Sequence, residues 1–545
     1  MKCNGSIPFI LYLAKKIKLY RYLYFYYACQ MNVIFQNYLL NLISFYYYEF
    51  NHIVFNFYVI LPEFILINFC FFLLIVSYIF SLKTLYRWSC LILFFIYLYY
   101  LYIIWTHDFS FSTQNFLLET FIFTDYFFLC FKGMIIITSL IILLLCQTII
   151  YNTEQKILKE FLFLILISIF FMLMLLSSND FLFSYFSIEG MSFSLYILAA
   201  TIYYNRFSLE SALKYFILGG IASSILLYGI SFIFIITSSL DFFYIKYYFL
   251  MNNATLNFLD ILFIISCLSL SFFFKLSAFP CHMWAPDVYE GIWTPITAFF
   301  AIVVKMVLFI FVIRIFCYIF NSVLLWQSFF LISGCGSIII GCLGALLQKK
   351  IKRFLAYTSI NQIGFLLLGL STNTLSGISS SLMFLMIYIL MNIIFFGILL
   401  NTQHFTQKFQ IMYLTDLYSV NSQNFDLNFV WVVTLFSMAG IPPLAGFFIK
   451  YYVLLSLINL SFYFTTLLIL LLSTVSCYYY LNFIKYILFE KKKLKVLYYF
   501  GIKPISSVFW ILLIVTVYLI TFIFTSSVIY NKILFLGFCS KYILQ

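Results

Sequence analysis

The sequence predicts an all-α membrane protein with many membrane-spanning helices. Two observations lead to this fold class. Of the 545 residues, 65% are hydrophobic and only 9% are charged, and from Leu61 onward the apolar runs reach the roughly 20 residues that a helix needs to cross a bilayer. This charged fraction is far below that of a typical soluble globular protein, so a soluble globular fold is excluded.

Fourteen apolar runs are predicted to be spans. Basic residues gather in the segments that follow odd-numbered runs, as expected when positively charged loops stay on one side of the membrane. We therefore attribute the net charge of +13 to orientation and predict no nucleic-acid partner. The runs are 62–82, 87–105, 123–150, 158–177, 181–204, 211–238, 257–279, 293–319, 325–347, 353–371, 377–400, 428–453, 457–485 and 506–530.

Proline interrupts the seventh and twelfth of these spans. Pro280 follows the seventh run, and Pro442 and Pro443 lie within the twelfth. Proline in a membrane helix frees backbone carbonyls that only protein or cavity water can satisfy, so broken spans indicate a site rather than a lipid-facing surface. The spacing of the breaks predicts two inverted five-helix repeats, spans 4–8 and 9–13.

Five charged residues in apolar surroundings are candidates for a proton relay. An ammonium at the bilayer centre costs roughly 2.5–3.5 kcal/mol on insertion scales, so it must face the protein interior or a wet cavity. Burial disfavours the charged forms of lysine and glutamate, which lets neighbouring groups exchange protons. The candidates are Glu189, Lys214, Lys275, Lys305 and Lys450.

Each candidate also has a structural interpretation. Lys305 lies in mid-span, too deep to reach a headgroup easily. For Lys275 and Lys450 the alternative is that each anchors the end of a helix at the membrane interface. Lys214 follows Glu210 by one helical turn, and an interface position explains it equally well. For Glu189 the alternative is a hydrogen-bonded structural carboxyl.

The segment after Pro280 carries His282 and Asp287 in a predicted polar turn. With no second His or Cys in register, no metal site is predicted. A structural, hydrogen-bonded role is favoured for His282, and the alternative is an auxiliary polar path with Asn361 and Gln362. The 13 cysteines are scattered without a C-x-x-C pair, so no cofactor is predicted in this chain. The glycine-rich run 334–344 predicts close helix packing.

The segment Lys275-Leu-Ser-Ala-Phe-Pro-Cys-His-Met-Trp-Ala-Pro-Asp-Val-Tyr-Glu-Gly resembles subunit 2 of NADH dehydrogenase, an antiporter-like membrane subunit of respiratory complex I. Its second half favours subunit 2 over the related subunits 4 and 5. The resemblance covers about residues 61–530. Further matches are Glu210-Ser-Ala-Leu-Lys-Tyr-Phe, Ile351-Lys-Arg-Phe-Leu-Ala-Tyr-Thr-Ser-Ile and Ala439-Gly-Ile-Pro-Pro-Leu-Ala-Gly-Phe-Phe-Ile-Lys.

The resemblance implies a fourteen-helix fold and proton translocation driven by electron transfer in other subunits, without a redox cofactor in this chain. Implied partners are other membrane-arm subunits, including the neighbouring antiporter-like subunit, and phospholipids. The 73 Phe and 46 Tyr are typical of an A+T-rich organellar gene. The expected location is therefore the mitochondrial inner membrane, with a bacterial plasma membrane as the alternative.

The resemblance also assigns roles by position. Glu189 and Lys214 correspond to a pair on spans five and six, which predicts that they contact each other. Lys275 corresponds to the central lysine, Lys305 to a linking lysine, and Lys450 to a terminal lysine facing the next subunit. Many relatives have a histidine in the tenth span where this chain has Ser359-Ile-Asn-Gln, so Gln362 is expected to bridge there with water, and Asn361 belongs to the same auxiliary polar path.

Two rival functions and one unassigned segment are left open. A stand-alone cation/proton antiporter of related fold would use the same charged residues, and a membrane scaffold without transport is the other alternative. Residues 1–60 lie outside the resemblance. Their polar side chains favour an interfacial or partner-bound extension, in contact with accessory subunits, whereas the basic cluster at 15–21 favours a fifteenth crossing.

Overall fold

The computed structural model describes residues 60–77, 79–106, 126–147, 155–202, 204–252, 257–404, 412–414, 425–489, 500–502 and 506–542. The N-terminal extension lies outside these residues except for Ile60, so the interpretation of 1–60 stays a prediction. The described part of the chain is almost entirely helical, in agreement with the long apolar runs of the sequence.

The helices follow the apolar runs closely. In chain order they are α1 (Ile60–Val76), α2 (Leu82–Thr106), α3 (Tyr126–Leu145), α4 (Gln155–Ser177), α5 (Phe181–Ala199), α6 (Arg206–Thr237), α7 (Phe242–Asn252), α8 (Phe258–Leu276), α9 (Trp284–Gly291), α10 (Thr294–Ile319), α11 (Leu325–Leu346), α12 (Ile351–Ser371), α13 (Leu375–Asn401), α14 (Phe425–Ala439), α15 (Ala445–Asn459), α16 (Tyr463–Leu488) and α17 (Ser506–Tyr542). Two short strands, β1 (Thr402–His404) and β2 (Phe500–Ile502), pair antiparallel.

The prediction of a polytopic membrane protein is confirmed. Among the described residues, 12 helices are long and apolar enough to cross a membrane, and α1, α14 and α15 are shorter apolar helices. None of the predicted spans includes α7, which lies between the sixth and seventh runs. It forms because Phe242, Ile245 and Phe249 recur at helical spacing and are buried together on one side.

Helix α10 occupies the interior of the bundle. Its most apolar stretch is 100% buried within the protein, against 28% for the outer helix α2. The helix widens into π-helical turns at Phe300–Val304 and Ile313–Ile319, and such turns are frequent at functional sites. The two buried charges of this helix, Lys305 and Arg314, lie immediately after the first turn and within the second.

The glycine-rich run packs α11 directly against α12, as predicted. A Cβ atom at Gly341 would come within 2.6 Å of the backbone nitrogen of Asn361, and one at Gly334 within 2.7 Å of Leu368. Only glycine permits this backbone approach. The contact fixes α12, which carries Ser359, against its neighbour.

Candidate functional site

The first helix break separates α8 from α9. Helix α8 ends at Leu276, Ser277 adopts a left-handed conformation with φ 61°, and the Phe279–Pro280 peptide is cis. The carbonyl of Phe274 accepts from the Ser277 N–H over 3.0 Å and from the indole Nε1–H of Trp284 over 2.9 Å, so this carbonyl at the break is satisfied within the protein. The predicted polar turn is partly wrong, because residues 284–291 form α9 by burying one apolar side.

The second break separates α14 from α15. Gly440 has φ 87°, and the Pro442–Pro443 peptide is cis. The Lys450 ammonium donates to the carbonyls of Met438 and Ala439 over 3.2 and 2.8 Å. Carbonyls at a helix C-terminus carry partial negative charge and no intrahelical partner, so a cation is stabilised there.

Gly446 is the position at which this break is least tolerant of change. A Cβ atom there would overlap the backbone carbonyl oxygen of Ser437, whereas a Cβ at Gly220 on α6 would meet nothing within 4 Å. We expect Gly446→Ala to destabilise the protein by about 1–3 kcal/mol, because backbone must move to make room. Thermal unfolding of the purified protein measures this change. Gly220→Ala is the matched control, and equal melting temperatures for the two variants would contradict the prediction.

Lys305 lies in the buried centre of α10 with 3% of its surface exposed. Its ammonium donates to the Ser359 hydroxyl of α12 over 2.9 Å and lies 5.4 Å from the centroid of the Tyr289 ring. Ser359 in turn donates to the carbonyl of Ala356. The sequence analysis does not predict Ser359 as a direct partner of Lys305. The two side chains meet only because α10 and α12 approach each other in the folded protein.

Glu189 and Lys275 form a second part of the site. Glu189 Oε2 accepts from the Ser192 hydroxyl over 3.4 Å, while Oε1 is buried without a partner among the described residues. Lys275 lies in the last turn of α8, next to the break, and within electrostatic range of the Glu189 carboxylate. Glu189 and Lys275 therefore influence each other through their charges, without a hydrogen bond or ion pair between them among the described residues.

The predicted contact between Glu189 and Lys214 is wrong in this structure. Lys214 forms ion pairs with Glu210 over 2.8 Å and with Asp287 over 3.3 Å, and its side chain is 44% exposed. Glu210 lies one helical turn before Lys214, and α9 brings Asp287 to the same edge. Two exposed carboxylates thus hold the ammonium at this edge, away from the half-buried Glu189.

The cavity at this edge has a volume of about 660 Å³ and is lined by charged residues from several helices. Asp287 and Glu290 of α9 pair with Arg353, and Lys350 pairs with Glu290. Lys352 donates to the carbonyl of Ile292, at the C-terminus of α9, over 2.6 Å. Lys350 and Lys352 line the cavity and follow the ninth predicted span, so the cavity opens on the positive side of the predicted topology.

The auxiliary residues have separate partners. The ring of His282 is buried, with Nδ1 3.2 Å from the carbonyl oxygen of Pro280. Asn361 donates to the Tyr479 hydroxyl of α16 over 3.2 Å, and Gln362 is buried in α12. Among the described residues, no hydrogen bond or ion pair directly joins any two of the five relay candidates, so a connected path stays a prediction.

Three buried charged groups were missed by the sequence analysis. Lys132 of α3 and Glu63 of α1 form an ion pair of 2.6 Å with exposures of 0% and 1%. The Arg314 guanidinium donates to the carbonyl of Leu176 over 2.9 Å and lies 4.5 Å from the Phe128 ring centroid. All three charges stand within apolar runs, which is the signal that could have found them.

A pair of carboxyls joins the loop before α5 to the loop before α7. Asp180 and Asp241 face each other across an isolated antiparallel bridge, flanked by Phe181 N–H to Leu240 O and Phe242 N–H to Asn179 O. In this arrangement the opposed side chains are at their closest. Burial, together with the Asp241 carboxyl, raises the pKa of Asp180 to about 7.

We expect Asp180→Asn to stabilise the protein at pH 8 and to have little effect at pH 4. A carboxyl whose pKa is raised by folding contributes most stability below its unfolded pKa of about 4, and this contribution is lost as the pH rises through 7. Removing one of two opposed charges should gain on the order of 0.5–1 kcal/mol at pH 8. Thermal unfolding at both pH values measures the gain. Asp426→Asn, at an exposed residue, is the control, and an equal gain at pH 4 and 8 for Asp180→Asn would contradict the prediction.

Among the described residues, no group of three or more His, Cys, Asp or Glu side chains could hold a metal ion.

The sequence matches one family profile and is similar to known proteins over most of its length. A family profile described as NADH:quinone oxidoreductase/Mrp antiporter, TM matches residues 178–476. The chain is 40% identical over 372 residues to NADH-ubiquinone oxidoreductase chain 2 of Marchantia polymorpha, covering 67% of this chain and 73% of the relative. It is also 40% identical over 347 residues to NADH-quinone oxidoreductase subunit N of Pelagibacter ubique, covering 62% and 71%.

Solved structures share the fold at low sequence identity. A chain of respiratory complex I from Thermus thermophilus superposes with a TM-score of 0.69 at 24% identity, covering 86% of this chain and 98% of that one. A chain of the Mrp complex from a Dietzia species superposes with a TM-score of 0.73 at 15% identity, covering 89% and 96%. The architecture is therefore common to several membrane complexes.

Proposed function

The chain belongs to the NADH:quinone oxidoreductase/Mrp antiporter family of membrane subunits, and on this premise we propose that it moves protons through a relay of buried lysines and a glutamate. It is a membrane-arm subunit of proton-pumping NADH:quinone oxidoreductase. Electron transfer takes place in other subunits of that enzyme, and the chain itself holds no redox cofactor.

The position of Lys305 is the observation that carries the relay. A lysine with 3% exposure in the most enclosed helix has no access to lipid headgroups, so a snorkelling role does not explain it. Its contacts with a hydroxyl and an aromatic face are compatible with both the ammonium and the neutral amine, since neither partner is a fixed charge. A buried lysine without a carboxylate partner is suited to gain and lose a proton.

The relay runs from the positive-side cavity towards the interior. Protons enter by Lys214 and Asp287 at the cavity, and the pair of Glu189 and Lys275 receives them at the first break. Lys305 and Ser359 form the next step. Lys450 at the second break is the last step and faces the neighbouring antiporter-like subunit. The auxiliary residues His282, Asn361 and Gln362 line this route with water between them.

The relay fits a fold of fourteen spans. In this count α1 is the first span, and α14 and α15 together form the broken twelfth span. The breaks lie at corresponding positions of two inverted repeats, spans 4–8 and 9–13. Supporting this symmetry, each break has a proline between its two helices, in Phe279–Pro280 for the first and in Pro442–Pro443 for the second.

The proposed location is the mitochondrial inner membrane, with a bacterial plasma membrane as the alternative. The A+T-rich composition and the similarity to a plant chain 2 support the mitochondrial assignment. The partners are other membrane-arm subunits, phospholipids and, at residues 1–60, accessory subunits. A stand-alone antiporter is the rival function, since a chain of the Mrp complex shares the fold. The masses of chains that purify with this one distinguish the two.

Lys275→Ala tests the relay at its first interior step. We expect NADH-driven proton uptake by vesicles containing the assembled complex to fall by roughly ten-fold, because Glu189 loses the lysine with which it exchanges protons. Proton uptake is measured per NADH oxidised, with assembly checked by the subunit composition. Lys532→Ala, an exposed lysine of α17, is the matched control. Undiminished uptake in an assembled Lys275→Ala complex would rule out the proposed role.

A further inference from the structure

The ion pair of Glu63 and Lys132 is the most deeply buried charged pair in the described part of the chain, and the relay does not use it. Lys132 Nζ lies 2.6 Å from Glu63 Oε1, and both side chains are essentially inaccessible. The hydroxyl of Tyr100, fully buried on α2, donates to the same oxygen over 3.1 Å. Three helices, α1, α2 and α3, thus direct three titratable groups to one point.

The second carboxylate oxygen of Glu63 distinguishes this cluster from a purely structural ion pair. Glu63 Oε2 is buried without a hydrogen-bond partner among the described residues, while both donors converge on Oε1. A pair that only holds helices together is most stable when all its polar atoms are bonded. The uncovered oxygen is instead placed to accept or release a proton on the side away from Lys132.

The cluster lies near one end of the three helices. Glu63 is in the first turn of α1, Lys132 in the second turn of α3, and Tyr100 six residues before the end of α2. With a rise of about 1.5 Å per residue, these positions are roughly 5–9 Å inside the helix ends. In the predicted topology, the start of α1 is on the side with few basic residues, opposite the cavity.

Helix α10 connects the relay with this cluster through Arg314 and Phe128. Lys305 and Arg314 share α10, and Arg314 stacks on Phe128 of α3. Phe128 precedes Lys132 by one helical turn, so both project from the same side of α3. Helix α3 also packs directly against α10. The cluster is therefore a neighbour of the helix that carries Lys305.

We propose that Glu63, Lys132 and Tyr100 form a proton-exchange site that passes protons from the relay to the side of the membrane with few basic residues. In the exchange, an N–H bond of Lys132 breaks as an O–H bond forms at Glu63 Oε1, which leaves a neutral amine and a carboxylic acid. The neutral carboxylic acid then rotates about its Cγ–Cδ bond, which carries the O–H away from Lys132. It loses the proton to a water molecule in the same step in which the amine takes the next proton from the direction of α10, and the ion pair is restored.

The ion pair and the acid–amine pair each have a net charge of zero, and this favours proton exchange in a dry interior. The ion pair and the acid–amine pair carry the same net charge, so neither form leaves an isolated buried charge. Tyr100 is a positioning residue here, since its hydroxyl donates to Oε1 and holds the carboxylate towards Lys132 in the ion-pair state. This proposal rests on the proposed proton-pumping function.

Lys132→Arg separates proton exchange from structural pairing. Arginine keeps the charge and can pair with a carboxylate, but its guanidinium does not release a proton in proteins. We expect vesicles with the assembled variant complex to pump on the order of ten-fold fewer protons per NADH oxidised. Glu63→Gln, which keeps an acceptor oxygen for both donors, is expected to have the same effect. Lys532→Arg is the control for the exchange of residue type.

Parental pumping in either assembled variant overturns the proposal and leaves a structural ion pair. If neither variant assembles, Tyr100→Phe carries the test, because it removes one hydroxyl and leaves the pair intact; we expect pumping to fall at least two-fold, and parental pumping overturns the proposal. Lys305→Ala is measured in parallel. Reduced pumping in Lys305→Ala alone rejects only the exchange site, whereas normal pumping in all variants rejects the relay as well.

Discussion

Replacing Lys305 by alanine is expected to lower NADH-driven proton pumping by about ten-fold or more while the complex still assembles. The side chain is enclosed by α10 and α12 and is held by one hydroxyl. Its removal leaves no ammonium in the centre of the bundle, and positioned proton-transfer groups typically contribute at least this much to a rate. Assembly should persist because no buried carboxylate loses its partner.

The measurement is proton uptake by vesicles containing the complex, divided by the NADH oxidised in the same vesicles. Lys305→Arg is expected to be as defective as Lys305→Ala, because a guanidinium keeps its proton. Ser359→Ala should have a smaller effect, since it removes the hydrogen-bond partner and leaves the titrating group. Lys532→Ala is the control. Full pumping by an assembled Lys305→Ala complex would exclude Lys305 from the relay.

Replacing Lys132 by methionine is expected to destabilise the protein by about 3–5 kcal/mol. The change leaves the Glu63 carboxylate buried with only the Tyr100 hydroxyl as a partner. An uncompensated charge in a low-dielectric interior is among the most unfavourable results of a single substitution. The expected consequence is a large fall in the unfolding temperature, together with a smaller amount of assembled complex.

The double variant Glu63→Gln/Lys132→Met provides the control for this effect. It removes both charges and keeps a polar side chain opposite Tyr100, so most of the lost stability should return. Lys532→Met, at an exposed position, should melt like the parent protein. If the double variant melts no higher than Lys132→Met alone, lost packing rather than an unpaired charge is the cause.

Local patterns in the sequence predicted much of the scaffold. Runs of apolar residues located the long helices, because a membrane-crossing helix must satisfy its backbone internally and present apolar side chains over its whole length. Pro280, Pro442 and Pro443 lie between helices in the structure, and the glycines of 334–344 lie at a close helix contact. Each of these features depends on residues that are close together along the chain.

The partners of the charged residues could not be predicted in the same way. Lys214 was assigned to Glu189 but pairs with Glu210 and Asp287, because the short helix α9 carries Asp287 to the edge of α6. Ser359 was part of the segment expected to bridge by water, and instead it contacts Lys305 directly. In both cases the outcome depends on which sides of two distant helices meet.

The sequence by itself determined that this chain is a polytopic helical membrane protein, where its helices break, and that Lys305 lies deep within a span. Tertiary structure decided which charges are paired, such as Glu63 with Lys132 across 69 positions of sequence, and which stand without a carboxylate partner. Hydrophobicity and helix breaking are properties of single residues and their immediate neighbours. The energy of a buried charge, in contrast, is set within a few ångströms by whatever another helix places there, and no local pattern records that neighbour.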